Sequence, residues 1–179
     1  MTDLLLKKWL EDNGGWTQLT PSQRKQPEAP HYPPTKEFME VLLRDSGCET
    51  VHLEITGTNS FSPELKDAFG EVLILLDKSY SPDISGTYEK EGKKIIIVEV
   101  KPDEMKMRDI YQTLEYFELV NAEIGILITP KKIPVRIQNY LDQNEELLTR
   151  CGRNIFIGTI SMKEKKFISE EWYPRHPTF

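Results

Sequence analysis

The sequence predicts an α/β protein, a mixed β-sheet flanked by helices, on three observations. The first is the β-branched run Ile95-Ile96-Ile97-Val98, which reads as a buried strand. The second is the segment just before it, Pro82 to Tyr88, which reads as a strand joined to the first by the turn Glu89-Lys90-Glu91-Gly92-Lys93. The third is the alternation of elements after Lys101: a helical stripe over 107–121, an apolar run at 124–129, a helix around 134–148 and a strand at 155–160.

The turn sets the register of the hairpin. A three-residue loop Lys90-Glu91-Gly92 places Gly92 where a positive φ is wanted. It pairs Glu89 with Lys93 and Thr87 with Ile95, and counting back it sets Asp83 opposite Glu99. A two-residue loop turns Asp83 to the other face. Along the second strand Ile95, Ile97, Glu99 and Lys101 share one face, and Ile96, Val98 and Val100 the other. A carboxylate and an ammonium beside a buried sheet are costly unless they pair or hold a cation.

From the N-terminus, residues 2–13 form an amphipathic helix with Leu5, Leu6, Trp9 and Leu10 on one side, stopped by Gly14-Gly15. Residues 17–35 carry Pro21, Pro27, Pro30, Pro33 and Pro34, the mark of a linker or extended arm. The expected division is therefore an N-terminal helix (1–16), a Pro-rich linker or arm (17–35) and an α/β domain (36–179). A helix over 36–45 ends at Ser46-Gly47, and Val51, Leu53 and Ile55 alternate with His52 and Glu54 as a half-buried strand. The lone His52 reads as a surface residue rather than a metal ligand.

Ser62-Pro63 opens a third helix as N-cap and first residue. Leu65, Ala68, Phe69, Val72, Leu73 and Leu76 give it an apolar stripe, with Glu71 at the edge. In the helix over 107–121, Ile110, Leu114 and Phe117 form the buried side. Gln112 and Tyr116 lie four apart on an adjacent stripe, with Arg108 one turn earlier. The link from the strand at 95–101 through this helix to 124–129 should be a parallel, right-handed crossover. Sites form at the C-terminal ends of such strands, where Glu99 and Lys101 sit. Residues 161–172 read as a hairpin arm and 173–179 as a loose tail.

The chain is 38% hydrophobic and 29% charged, ordinary for a water-soluble domain. No run approaches the roughly 18 apolar residues of a membrane span. The start lacks the basic head and long apolar run of a signal peptide, so an intracellular, cytoplasmic location is expected. Cys48 and Cys151 fit free thiols in a reducing compartment and are too few for a four-cysteine zinc or iron–sulfur site. With a net charge of −6, nucleic-acid binding requires a local basic patch or bound cations. Lys90, Lys93 and Lys94, Lys106 and Arg108, and Lys131, Lys132 and Arg136 are the local candidates.

Pro82-Asp83 followed by Glu99-Val100-Lys101 resembles the motif of the PD-(D/E)xK nuclease superfamily, and Gln112 to Tyr116 is similar to the QxxxY motif of its RecB-like branch. The resemblance spans about residues 63–130 and implies a restriction-endonuclease-like αβββαβ core. It implies Mg²⁺ or Mn²⁺ held by Asp83, Glu99 and the Val100 carbonyl, with a further acid from an upstream helix. Glu71 is the favoured candidate for that acid, ahead of Glu40 and Glu64. Magnesium takes hard oxygen ligands, polarises a scissile phosphate and acidifies bound water. Lys101 would position that water or stabilise developing charge. Gln112 and Tyr116 would orient the site or, with Arg108, contact the nucleic acid. The implied activity is hydrolysis of phosphodiester bonds in DNA, with a homodimer expected from relatives that pair two sites. Two other readings of the triad remain open: a structural salt bridge from Lys101 to either carboxylate, and a non-cleaving nucleic-acid-binding or scaffolding protein on a nuclease fold.

Overall fold

The computed structural model describes residues 3–19, 24, 26–57, 61–74, 76, 81–150, 152–163, 166–174, 177 and 179. Thr2, Pro21 and Cys151 lie outside the described residues. Five α-helices are described: α1 (Asp3–Asp12), α2 (Tyr32–Asp45), α3 (Pro63–Phe69), α4 (Met107–Leu119) and α5 (Val135–Asp142). Seven strands accompany them: β1 (Glu49–Ile55), β2 (Ile84–Glu89), β3 (Lys93–Val100), β4 (Ile124–Thr129), β5 (Thr149–Arg150), β6 (Arg153–Lys163) and β7 (Lys166–Tyr173).

The strands form one mixed sheet in the order β1-β2-β3-β4-β6, with β5 and β7 both paired to β6. β2 runs antiparallel to both of its neighbours, β1 and β3, and β3, β4 and β6 run parallel. The chain is therefore α/β, with helices on both faces of a sheet that buries nearly continuous apolar runs. On one face α3, α4 and α5 cover Ile97, Leu127, Ile155 and Ile157. On the other, α2 covers Ile96, Val98, Ile126 and Phe156. Among the described residues no helix is long and apolar enough to cross a membrane.

The β2–β3 hairpin has the register expected of a three-residue loop: Glu89 pairs with Lys93, Thr87 with Ile95 and Ile84 with Val98. Gly92 sits at φ 112°, a conformation that side chains disfavour. Gly86 serves a different need. A Cβ there would lie 2.2 Å from the His52 carbonyl oxygen, so only glycine lets β1 lie this close to β2.

The element boundaries depart from the sequence reading in several places. α2 begins at Tyr32, not Lys36, because Pro33 and Pro34 occupy the first turn, where a missing N–H costs nothing. The described part of the Pro-rich stretch is not a free arm: Ala29, Tyr32, Pro33 and Pro34 are buried, and a 3₁₀ turn over Ala29–His31 leads into α2. In α1, Leu6, Trp9 and Leu10 form a small core of their own while Leu5 stays exposed. The expected helix 134–148 breaks into α5, a 3₁₀ turn at Glu145–Leu148 and the short β5. The arm after residue 160 is a true hairpin, β6 with β7. At the C-terminus Pro177 is buried and Phe179 packs edge-on against Tyr88, so neither is a loose tail.

Candidate metal centre

β3 changes character along its length. Lys93 is exposed, Lys94 and Ile95 are half-buried, and everything from Ile96 to Val100 is buried, Glu99 included. Glu99 thus ends a strand whose neighbours are β2 and β4, with no water-facing side for its carboxylate. Asp83 stands immediately before β2, opposite Glu99 in the register, and is itself buried.

The two acids are interlocked through the backbone. The Asp83 N–H donates to Glu99 Oε1 at 3.1 Å, and the Val100 N–H donates to Asp83 Oδ2 at 2.8 Å. The Asp83 carboxylate thereby takes the place of a further rung of the hairpin ladder. Lys101 Nζ lies 3.1 Å from Glu99 Oε2, and Tyr32 donates its hydroxyl to Asp83 Oδ1 at 2.7 Å. The Asp83 carbonyl accepts from the N–H groups of Thr56 and Gly57, and the Thr56 hydroxyl donates to the Pro82 carbonyl. The end of β1 and the start of α2 therefore grip the Pro82-Asp83 corner from two sides.

The electrostatics follow from burial. Burial, and then the charge of Asp83, hold Glu99 well above the ordinary carboxylate range. Burial also raises Asp83, opposed by Lys101, by the Val100 N–H and by the Tyr32 hydroxyl. Burial works against the Lys101 charge, but Glu99 and Asp83 outweigh it and hold the ammonium above its usual value. Among the described residues, two carboxylates facing one ammonium leave an excess of negative charge in a largely buried site.

Those residues fit a hard divalent cation. Among the described residues each of the four carboxylate oxygens accepts from one donor, and each has the capacity for a second bond. In a strand the N–H and C=O of one residue point the same way, so the Val100 carbonyl lies on the Asp83 side as its N–H does. Among the described residues, no group of three or more His, Cys, Asp or Glu side chains is close enough to hold a metal. A cation here would take one or two carboxylates and keep several waters, the habit of magnesium rather than zinc.

On α4, Tyr116 stands within the field of Glu99, Asp83 and Lys101, with Gln112 beside it. Gln112 Nε2 lies 3.4 Å from the Tyr116 hydroxyl. Tyr116 is buried, and its pKa is pushed up to about 12 by burial, with Glu99 and Asp83 adding to the rise. The other sequence candidates are placed elsewhere. Glu71 is exposed in the 3₁₀ turn Gly70–Ile74. Glu40 pairs with Lys36 and Arg44, and Glu64 accepts from Thr87. Arg108 is exposed and pairs with Asp109 at 3.6 Å. His52 pairs with Glu54 on β1.

Sequence reasoning missed Tyr32 and Glu28. The charge of Glu28, just ahead of the turn Ala29–His31, raises both Tyr32 and Asp83. Its push is small beside that of burial, the leading cause for both groups. A signal for Tyr32 existed: two prolines directly after it mark a helix start, and a helix start is a fixed point in a chain. Nothing in the local pattern pointed to Glu28, which sits among prolines and polar residues. No family model, curated protein or solved structure matches this chain.

Proposed function

We propose that the protein is a divalent-metal-dependent nuclease of the PD-(D/E)xK superfamily, hydrolysing phosphodiester bonds in DNA. One observation carries the reading: Asp83 and Glu99, buried together against Lys101, the one ammonium there among the described residues, at the open end of a hairpin. A structural salt bridge needs one carboxylate, and the second is costly there unless a cation balances it. Two further features support it. The order α2-β1-β2-β3-α4-β4, antiparallel up to β3 and parallel at β4, is that expected of a restriction-endonuclease-like core, with α3 as an added helix. Tyr116, paired with Gln112, stands within the field of the triad, as expected of a QxxxY motif.

Asp83, Glu99 and the Val100 carbonyl would hold Mg²⁺ or Mn²⁺. Such an ion, when bound, neutralises phosphate charge and supplies an acidified water. The chain's own residues do the rest. Tyr32 and the Val100 N–H hold the Asp83 carboxylate in one orientation. Lys101, still charged because of its two acidic neighbours, lies where negative charge grows on the phosphate oxygens. A bond forms from the water oxygen to phosphorus, the bond from phosphorus to the leaving sugar oxygen breaks, and a proton passes to that oxygen. Gln112 and Tyr116, joined to each other on α4, would orient the site, and Arg108, exposed at the start of α4, would contact the nucleic-acid backbone.

The test is cleavage of plasmid and single-stranded DNA with Mg²⁺ or Mn²⁺, against an EDTA control. Cutting that needs the metal is expected. Metal binding without cutting on every substrate form would replace the nuclease reading with a scaffold that holds nucleic acid.

A further inference from the structure

Beside the candidate site, the N-terminal turns of α4 and α5 leave a groove of about 270 Å³ lined by Lys106, Met107, Arg136, Ile137 and Tyr140. The two helices follow the parallel strands β3 and β4, and β3 carries Glu99 and Lys101 at its C-terminal end, so the groove opens at the same end of the sheet. The two walls repeat one pattern. On α4, Lys106 and Met107 are followed one turn later by Tyr111; on α5, Arg136 is followed one turn later by Tyr140. Tyr111 is 50% exposed and Tyr140 41%, and the two rings stand near enough for the Tyr111 hydroxyl to raise the Tyr140 pKa. With Val135 at 68%, they make up most of the large apolar side chains exposed among the described residues.

Cations near a site end and phenol rings one turn beyond are what a short piece of unpaired nucleic acid needs. Ammonium and guanidinium groups take phosphates, and exposed rings take bases by stacking, which a duplex with its bases paired cannot offer. The Arg136 ion pair to Glu104, at 3.2 Å, joins two exposed side chains and gives way readily to a phosphate. The charge reverses farther along: Glu115 follows Tyr111 by one turn, and the charge of Glu146 acts on Tyr140. The favourable stretch is therefore short and ends at the tyrosines.

Resting on the nuclease reading, we infer that this groove seats a single-stranded stretch of the nucleic acid next to the scissile bond, its phosphates on Lys106 and Arg136 and its bases on Tyr111 and Tyr140. The substrate class would then be single strands, or duplexes with frayed or unpaired ends.

Fluorescence anisotropy tests this without catalysis. A labelled mixed-sequence oligonucleotide is titrated in EDTA at low salt, as a single strand and as a blunt duplex. Tyr111→Ala with Tyr140→Ala should weaken single-strand binding about tenfold or more, and duplex binding much less. Arg136→Ala should weaken both and flatten the salt dependence. Tyr111→Phe with Tyr140→Phe keeps the rings, loses the hydroxyls and should bind as wild type. All of these positions are at the surface, and melting temperatures check that the variants fold. Unchanged single-strand affinity in the double alanine variant overturns the inference, as does a wild type that ignores single strands. The nuclease reading fails separately: a wild type whose single-strand affinity depends on the tyrosines but which never cuts with Mn²⁺ keeps the groove and loses the enzyme.

Discussion

The β2–β3 hairpin has two ends built from the same kinds of residue, and they do opposite things. At the turn, Glu89 faces Lys93 across the ladder, both exposed, beside Lys90 and Glu91. At the open end, Asp83 and Glu99 meet Lys101 with almost no water. Charges at the first end are screened, and ion pairs there contribute on the order of 0–1 kcal/mol. At the second end the same charges must satisfy one another or a bound ion, because removing one partner of a buried pair costs about 3–5 kcal/mol. Residue type says little about a charge; position along the strand says nearly everything.

The largest expected effect is at Asp83. On the proposed reading, Asp83→Ala removes a ligand of the cation together with the acceptor of the Val100 N–H. Calorimetry should show manganese binding lost, and a nicking assay should show cutting fall below detection. Retained cutting would place the metal elsewhere.

Lys101→Ala separates the roles. It removes no ligand, and it takes away a positive charge that repels a cation, so manganese binding should persist or tighten. Cutting should still fall about 10²–10³-fold, as when a transition-state charge partner is lost. A structural salt bridge predicts otherwise: both variants lose melting temperature, and the wild type neither binds metal nor cuts.

Titration sharpens the contrast further. Glu99 is held well above the ordinary carboxylate range, so in the metal-free protein a proton is retained at pH values where a free glutamate has lost it. A cation must displace that proton. Manganese affinity should therefore rise with pH, by up to about tenfold per unit for one displaced proton, and level off once Glu99 is ionised. The same sign applies to stability. A carboxyl with a raised folded-state pKa stabilises fully below its unfolded value, and that contribution is lost as pH rises through the folded value. The melting temperature without metal should thus fall across that window, and manganese should restore it. A flat profile would show that Glu99 is already ionised without the metal.

Tyr32→Phe is a smaller change. It leaves Asp83 Oδ1 without its hydroxyl donor while preserving the packing of the ring. Groups that orient a ligand typically affect metal affinity by about 10–100-fold, so calorimetry should show weakening rather than loss. An affinity within about twofold of wild type would mean that the Val100 N–H suffices. The smallest effect belongs to the turn. Lys93→Ala, exposed, should shift stability by no more than about 0.5 kcal/mol and leave metal binding alone. A larger loss would break the comparison between the two ends.

What the sequence determined by itself was local. Four β-branched residues in a row make a strand whatever surrounds them, and a turn ending in glycine admits few registers. Together these place Asp83 opposite Glu99, and the helical spacing of Gln112 and Tyr116 puts them on one stripe. The tertiary structure decided which distant segments close on that end of the sheet. Tyr32 bonds Asp83 across 51 residues of chain, and Thr56 reaches Pro82 across 26. Glu28 arrives with the same N-terminal segment, whereas the more regular helical position, Glu71, faces water. No periodicity encodes such meetings. They depend on how α2 lies against the sheet, and that is set by the sum of many apolar contacts made at once, Met39 and Leu43 against Ile96 and Val98 among them.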